Sequence, residues 1–513
     1  MSRAAAEPPK RWDEEADVVV VGYGGAGAVT AIAAADAGAQ VIVLEKNPAD
    51  RHFCNTNVSG GIFISPTETE GAFQYMKACV GDTVDDEMCR LWAQQTALNR
   101  DYVTDLARSV GEPAELVRRG GAEFPNLPGA AAISSWGLAS GTGGRLFSIL
   151  DRCVSPRSNI RIQYDTAGSR LVQGAGGEVL GVRARCGSRE LSVRARQATI
   201  LATGGYEYHE QLKLNSLHGG PRYFYGPESN TGDGLLMGMA AGADLWHMNA
   251  TSQHYGMAYR NFPVAFNLAN ARPFPRSSYL VVDQHGRRFF DESRNGHSAY
   301  SYFVFFDPLI PACPRIPAYL IFDESLRLMG RPLSASRGPD GGLIGAAAAK
   351  YGYFWSDDQS EEVARGWIMR ADTIAQLAQA IRSRQGPSDV VVYPSSVRMV
   401  PEVLAGSIAA FNQYARQGSD PEFGRQGTLL EPLVTPPFYA TEVWPVGPNT
   451  QGGPRFDPKG RVLDVYREPI PRLYKCGELG SIYGRCYTGG GNIAELLAFG
   501  RIAGRNAAAE SVA

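Results

Sequence analysis

An excess of charge of either sign is missing from this sequence: 50 lysines and arginines stand against 52 aspartates and glutamates over 513 residues, a net charge of −2. With no basic excess and no basic run interleaved with aromatics, nothing recommends a nucleic acid as partner. Patterned cysteine is missing too. Cys54, Cys79, Cys89, Cys153, Cys186, Cys313, Cys476 and Cys486 form no C-x-x-C, no C-x-x-C-H and no ferredoxin-like cluster. That spacing speaks against attached haem, an iron–sulfur centre and a metal site. A disulfide framework is not expected in so long a chain, which makes a reducing, cytoplasmic setting the default. No apolar run reaches the roughly 18 residues of a transmembrane helix. The polar stretch 1–16 lacks the apolar core of a signal peptide and reads as a disordered arm.

What is present is a globular composition, 44% hydrophobic and 20% charged, with 59 glycines. The length predicts two to four domains. Residues 17–21 are a continuous apolar run, as in a buried parallel strand. The turn Gly22-Tyr23-Gly24-Gly25-Ala26-Gly27 follows, then an alanine-rich helix over 28–37 closed by Gly38, then a second strand over 41–44. A G-x-G-x-x-G turn between strand and helix brings helix N–H groups and the positive dipole end to a pyrophosphate. Glu45, with Lys46 beside it, ends the second strand 18 residues after Gly27. A carboxylate there is placed to accept hydrogen bonds from ribose hydroxyls.

Further along, 52–65 is a loop rich in small polar residues containing Asn55, Thr56, Ser59, Gly60 and Gly61, suited to lying against a flat ring and a phosphate. Residues 84–111 read as helical, and 160–203 as a small antiparallel sheet ending in a buried strand and the turn Ala202-Thr203-Gly204-Gly205. Asp233 opens a helix through 241. Composition changes near residue 255, where aromatics and prolines become frequent, with a strand over 279–283 and helices over 373–384 and 402–416. Dinucleotide features return at Cys476-Gly477-Glu478 and at Gly489-Gly490-Gly491-Asn492-Ile493, a second glycine turn opening a helix. Such a turn aims N–H groups at the edge of a flavin ring that becomes anionic on reduction. The expected domains are an arm over 1–16, an FAD domain in two segments (17–254 and 437–513), and a cap over 255–436.

Six blocks in this order resemble the FAD-dependent fumarate reductase/3-ketosteroid dehydrogenase superfamily: DVVVVGYGGAGAVTAIAAADAGAQVIVLEK, NTNVSGGI, ILATGGY, TGDGLLMGMAAGADLWHM, RRFFDES and YTGGGNIAELLAFGRIAG. The resemblance runs from about residue 16 to 508. It implies an α/β fold: a Rossmann-like FAD domain in two sequence pieces around an inserted α+β cap, with FAD held non-covalently. The implied reaction adds or removes hydrogen across a C–C bond beside a carbonyl. Cys54 stands where membrane-bound members tether FAD through a histidine, but it reads here as a plain loop cysteine.

Fumarate reductases of the superfamily carry an arginine before the final glycine turn to hold a substrate carboxylate. This chain has Tyr487 there. Their histidine before a glycine pair is also missing from 448–453. Tyr487-x-Gly489-x-Gly491 instead resembles the ketosteroid dehydrogenases, where a tyrosine hydroxyl and a glycine N–H polarise the ketone. Such donors stabilise a forming enolate by about 3–4 kcal/mol each. The expected substrate is a 3-oxosteroid or smaller cyclic ketone; the alternative is an ene-reductase of an unsaturated acid or enone. For the proton-moving group, His297, Tyr300 and Arg276 stand near the superfamily's positions. With no second G-x-G-x-x-G in a β–α–β setting for a nicotinamide, electrons are expected to leave to a separate acceptor such as a quinone, a dye or O2.

Overall fold

The computed structural model describes residues 6–113, 115–268, 277–294, 296–329, 351–353, 355–385 and 398–511. The first apolar run becomes the strand Glu14–Val21, and Val18, Val19 and Val20 are wholly buried. It pairs in parallel with Val41–Leu44 on one side and with Arg189–Leu201 on the other. A parallel strand covered on both faces has no solvent side, so its sequence is apolar throughout rather than alternating. The parallel part of the sheet runs Pro469–Lys475, Arg189–Leu201, Glu14–Val21, Val41–Leu44, Ile160–Gln163. Leu473 sits opposite Thr199, so a strand from the end of the chain completes a sheet begun at its start. The helix Gly25–Asp36 and the terminal helix Gly491–Ala508 share one core with these strands.

The chain divides into two compact units. The first comprises Met1–Ser216, Gly226–Ser252 and Asn449–Ala513. The second comprises Leu217–Tyr225 and Gln253–Pro448. The return to the first unit therefore falls at 448/449 rather than at 436/437. The reason is the strand Phe438–Gly447, which is the centre of the second unit's own sheet and pairs with His254–Met257, Ala318–Asp323 and Ile368–Ala371.

Two other expectations are corrected. Residues 6–16 are not a disordered arm: Ala6 exchanges backbone hydrogen bonds with Leu171 and Gln173, and Asp13 donates its N–H to the Ser192 carbonyl while its carboxylate accepts from Ser192 N–H. An unpaired hairpin edge recruits them, whatever their polarity. In the expected antiparallel stretch, Ile160–Gln163 is a parallel edge strand beside Val41–Leu44; only Thr166–Gln173, Val179–Cys186 and Arg189–Leu201 form the antiparallel ladder.

The second unit packs an aromatic core that includes Tyr255, Phe266, Phe303, Trp355 and Trp367. Its R-R-F-x-x-E block builds a buried ion network. Arg288 makes a two-pronged contact with Glu292 (2.7 and 2.9 Å) and reaches Asp420 at 2.9 Å. Arg425 approaches Glu292 at 3.4 Å and donates to the Tyr279 carbonyl at 2.8 Å. Among the described residues no helix is long and apolar enough to cross a membrane.

Candidate active site

The G-x-G-x-x-G turn is shaped by two close approaches. Gly22 has φ +100°, and a Cβ there would lie 2.5 Å from the Ala202 carbonyl oxygen. A Cβ on Gly27 would lie 2.0 Å from the Gly22 carbonyl oxygen. Any side chain at either position would push the turn off the sheet. At Gly24 a Cβ would meet only Cys54, at 3.6 Å. Gly24 caps the helix Gly25–Asp36 without a side-chain hydrogen bond, and the first turn holds no acidic residue. Gly25 N–H donates to Thr56 Oγ1 at 3.1 Å. The N–H groups of Ala26 and Gly27 have no acceptor within the helix, so the positive end of the dipole is left for an anion.

Glu45 is buried at the end of its strand. Its Oε2 accepts from Tyr23 N–H at 3.0 Å, and its Oε1 accepts from the Asn47 backbone and side chain at 2.7 Å each. A carboxylate accepts about four hydrogen bonds, so these three leave room for a ribose hydroxyl. Lys46 turns away from Glu45, to Asp233 at 2.6 Å and Thr231 at 2.8 Å.

The distant pieces meet at Glu478. Its Oε1 accepts from Asn55 Nδ2 at 2.7 Å, Gly205 N–H at 3.3 Å and Asn230 Nδ2 at 3.4 Å. Gly204 is so close to Glu478 and Asn230 that a Cβ there would stand 3.1 Å from both. Thr203 Oγ1 accepts from Gly234 N–H at 3.2 Å. Ser59 bonds within its own loop, to the Thr56 carbonyl and from Gly61 N–H. Its carbonyl accepts from Gly143, so Ser59, Gly60 and Gly61 form a turn docked on 142–143.

Glu207, which the sequence reading missed, is buried and accepts from Thr450 N–H at 2.9 Å. Its other oxygen, Oε2, is buried without a hydrogen-bond partner among the described residues. Burial pushes Glu207 up to about 7. Burial and the charge of Glu207 raise Glu478 well above the usual carboxylate range. A glutamate two residues past a glycine turn carries no sequence signal of such a role; only the fold brings 207 and 478 together.

At the C-terminal turn, Gly490 has φ +84° and caps the terminal helix. Tyr487 is buried, and its hydroxyl oxygen accepts from Asn492 N–H at 3.3 Å. Burial holds the Tyr487 phenol well above its ordinary range, so it stays protonated and able to donate. Gly491 N–H, assigned by resemblance to the ketone oxygen, donates to the Thr488 carbonyl at 2.9 Å. Three glycines in succession let the turn close on itself and take up that donor. The side chain of Asn492 exchanges hydrogen bonds with Gln451 at 2.9 and 3.0 Å. Ile493 is buried in the core.

In the second unit, the His297 ring lies 5.1 Å from that of His254, which is itself buried and bonded to the Tyr225 hydroxyl at 3.2 Å. Burial and the neighbouring His297 push His254 well below the usual histidine range. Tyr300 faces the Arg222 guanidinium at 4.9 Å, and Arg222 donates to Gln253 at 2.8 Å. His254, Arg222 and Gln253 were not singled out in the sequence, because a histidine after Thr251-Ser252-Gln253 reads locally as a polar surface residue. Arg294 pairs with Asp291 at 3.0 Å. Arg276 lies outside the described residues.

An uncapped helix N-terminus over a glycine turn, an acidic residue ending the next strand and a half-buried acid joining the two chain ends fit an adenine dinucleotide. Together with the sheet order they define an FAD-dependent oxidoreductase. Residues 17–493 match the FAD binding domain family, and the chain belongs to it. Digoxin reductase of Eggerthella lenta is 24% identical, over 97% of this chain and 88% of its own length. The 4-oxocyclohexanecarboxylate 2-dehydrogenase of Sinomonas cyclohexanicum is 26% identical, over 96% and 93%. The crystal structure of 3-ketosteroid delta1-dehydrogenase from Sterolibacterium denitrificans shares the fold with a TM-score of 0.79 at 21% identity, over 97% of this chain and 100% of that one. The protein is therefore an FAD-dependent oxidoreductase, similar to ketone dehydrogenases and to reductases of the same fold.

Proposed function

We propose that the protein desaturates a 3-oxosteroid or smaller cyclic ketone next to its carbonyl. The observation that carries this reading is Tyr487: a buried, protonated phenol at the mouth of the terminal helix, whose oxygen already accepts the Asn492 N–H at 3.3 Å. A hydroxyl that accepts one hydrogen bond is polarised and donates its own proton more strongly. Given to a ketone oxygen, that proton stabilises the charge that builds as the α proton leaves. His297 is our first assignment for taking the α proton, with Tyr300 the alternative. Arg276 is assigned the proton-donating role if the reaction runs toward saturation. FAD, when bound, supplies acceptance of the β hydride. Glu45, the Gly24–Gly27 turn and Glu478 hold it in place without a covalent link. Electrons then pass to a separate acceptor. The names of two similar proteins, a cyclic-ketone 2-dehydrogenase and a digoxin reductase, support chemistry beside a carbonyl in either direction.

The test is Tyr487→Phe, which keeps the ring and removes one hydroxyl. Anaerobic flavin reduction by cyclic ketones should slow on the order of 10²–10³-fold with FAD content unchanged. An unchanged rate would remove the ketone reading.

A further inference from the structure

We propose that Glu123, together with Tyr75, is a positioning residue that anchors the Tyr487-x-Gly489-x-Gly491 turn from outside. The chemistry of that turn rests on the ketone reading above; the anchoring is a separate matter of geometry. The turn has little of its own to hold it. Gly489, Gly490 and Gly491 carry no side chains to pack, and glycine has the most backbone freedom to lose on ordering. The turn's internal bonds, Gly491 N–H to Thr488 and Asn492 N–H to Tyr487, hold its C-terminal side.

Two further anchors come from more than 350 residues earlier in the chain. Glu123 Oε2 accepts from Gly489 N–H at 2.8 Å across a separation of 366 residues. Tyr75, wholly buried, donates to Thr488 Oγ1 at 3.3 Å and accepts from Phe124 N–H at 3.3 Å. Residues 75, 123–124 and 488–489 are thus joined in one hydrogen-bonded circuit that includes the residue next to Tyr487. The Glu123 bond is the charge-assisted one and so the strongest of the set. The carboxylate has a second effect: after burial, its charge is among those that resist ionisation of Tyr487, which keeps the phenol a donor.

Glu123→Ala deletes the acceptor, whereas Glu123→Gln keeps a neutral oxygen that accepts the same N–H. Two measurements on the FAD-loaded full chain separate the anchoring from the chemistry: hydrogen–deuterium exchange of the peptide spanning 486–492, and anaerobic flavin reduction by a cyclic ketone. In Glu123→Ala, exchange should rise about 10- to 100-fold and flavin reduction should fall by a similar factor, through kcat rather than KM, with FAD content unchanged. Glu123→Gln should recover most of both, and Tyr75→Phe should raise exchange in the same peptide. Unchanged exchange in Glu123→Ala, or exchange in Glu123→Gln as fast as in Glu123→Ala, overturns the proposal. So does faster exchange with flavin reduction unimpaired. A wild-type enzyme that no ketone reduces would end the ketone reading alone, and the exchange measurement would still decide whether Glu123 anchors the turn.

Discussion

Replacing Glu207 by glutamine removes a buried carboxyl group of the cofactor-binding unit while leaving its shape. The folded protein raises Glu207 from its ordinary 4.5 to about 7, because burial disfavours the charged form. In the unfolded chain the group ionises near 4.5. Below that pH both states hold the proton and the full contribution to stability is present. Between 4.5 and about 7 the unfolded chain releases its proton and the folded chain keeps it, so stability falls as pH rises. Above about 7 both states are ionised and the loss is complete. Urea denaturation followed by flavin release, repeated from pH 5 to 8.5, should show this decline in the wild type and a markedly flatter profile in Glu207→Gln. The slope is the informative quantity, because the amide adds a cost of its own where Oε2 has no partner among the described residues. Identical pH profiles for the two proteins would refute the argument that Glu207 holds a proton.

Glu45→Ala and Gly24→Val should each lower the FAD content of the purified protein, the first by deleting a ribose acceptor and the second by filling the space above the phosphate turn; full occupancy in both, read from the flavin absorbance, would end that assignment. Trichloroacetic acid should release all the flavin into the supernatant, from wild type and Cys54→Ser alike, because burial pushes the Cys54 thiol up to about 12 and leaves little of the thiolate that tethering requires. A yellow pellet that turns colourless in Cys54→Ser would show a covalent link. Arg288→Met should cost about 3–5 kcal/mol, since it strips a buried partner from Glu292 and Asp420; a melting temperature within a degree of the wild type would contradict it.

The sequence by itself determined the elements that are local. A β-branched run, a G-x-G-x-x-G turn, an alanine-rich helix and a terminal acid are contiguous, and each is dictated by neighbours a few residues away. The strand over 17–21, most of the helix Gly25–Asp36 and the place of Glu45 could therefore be read before any coordinates, but the strand's first three residues could not. The same holds for the glycine turn opening the last helix, because a left-handed residue such as Gly490 is fixed by the local backbone. Pairing across long separations was decided only by tertiary structure. Asn55 meets Glu478 across 423 residues, Gly489 meets Glu123 across 366, and Lys46 meets Asp233 across 187. No local pattern marks Glu123 or Glu207 as different from a surface glutamate, since their character comes from burial and from which donors the fold aims at them. The strand Phe438–Gly447 was assigned to the wrong unit for a related reason: an apolar run states that it is buried, but the sheet that buries it is chosen by long-range pairing. Gly491 carries the same lesson at the scale of one donor, because the motif specifies the glycine while the closed turn decides where its N–H points.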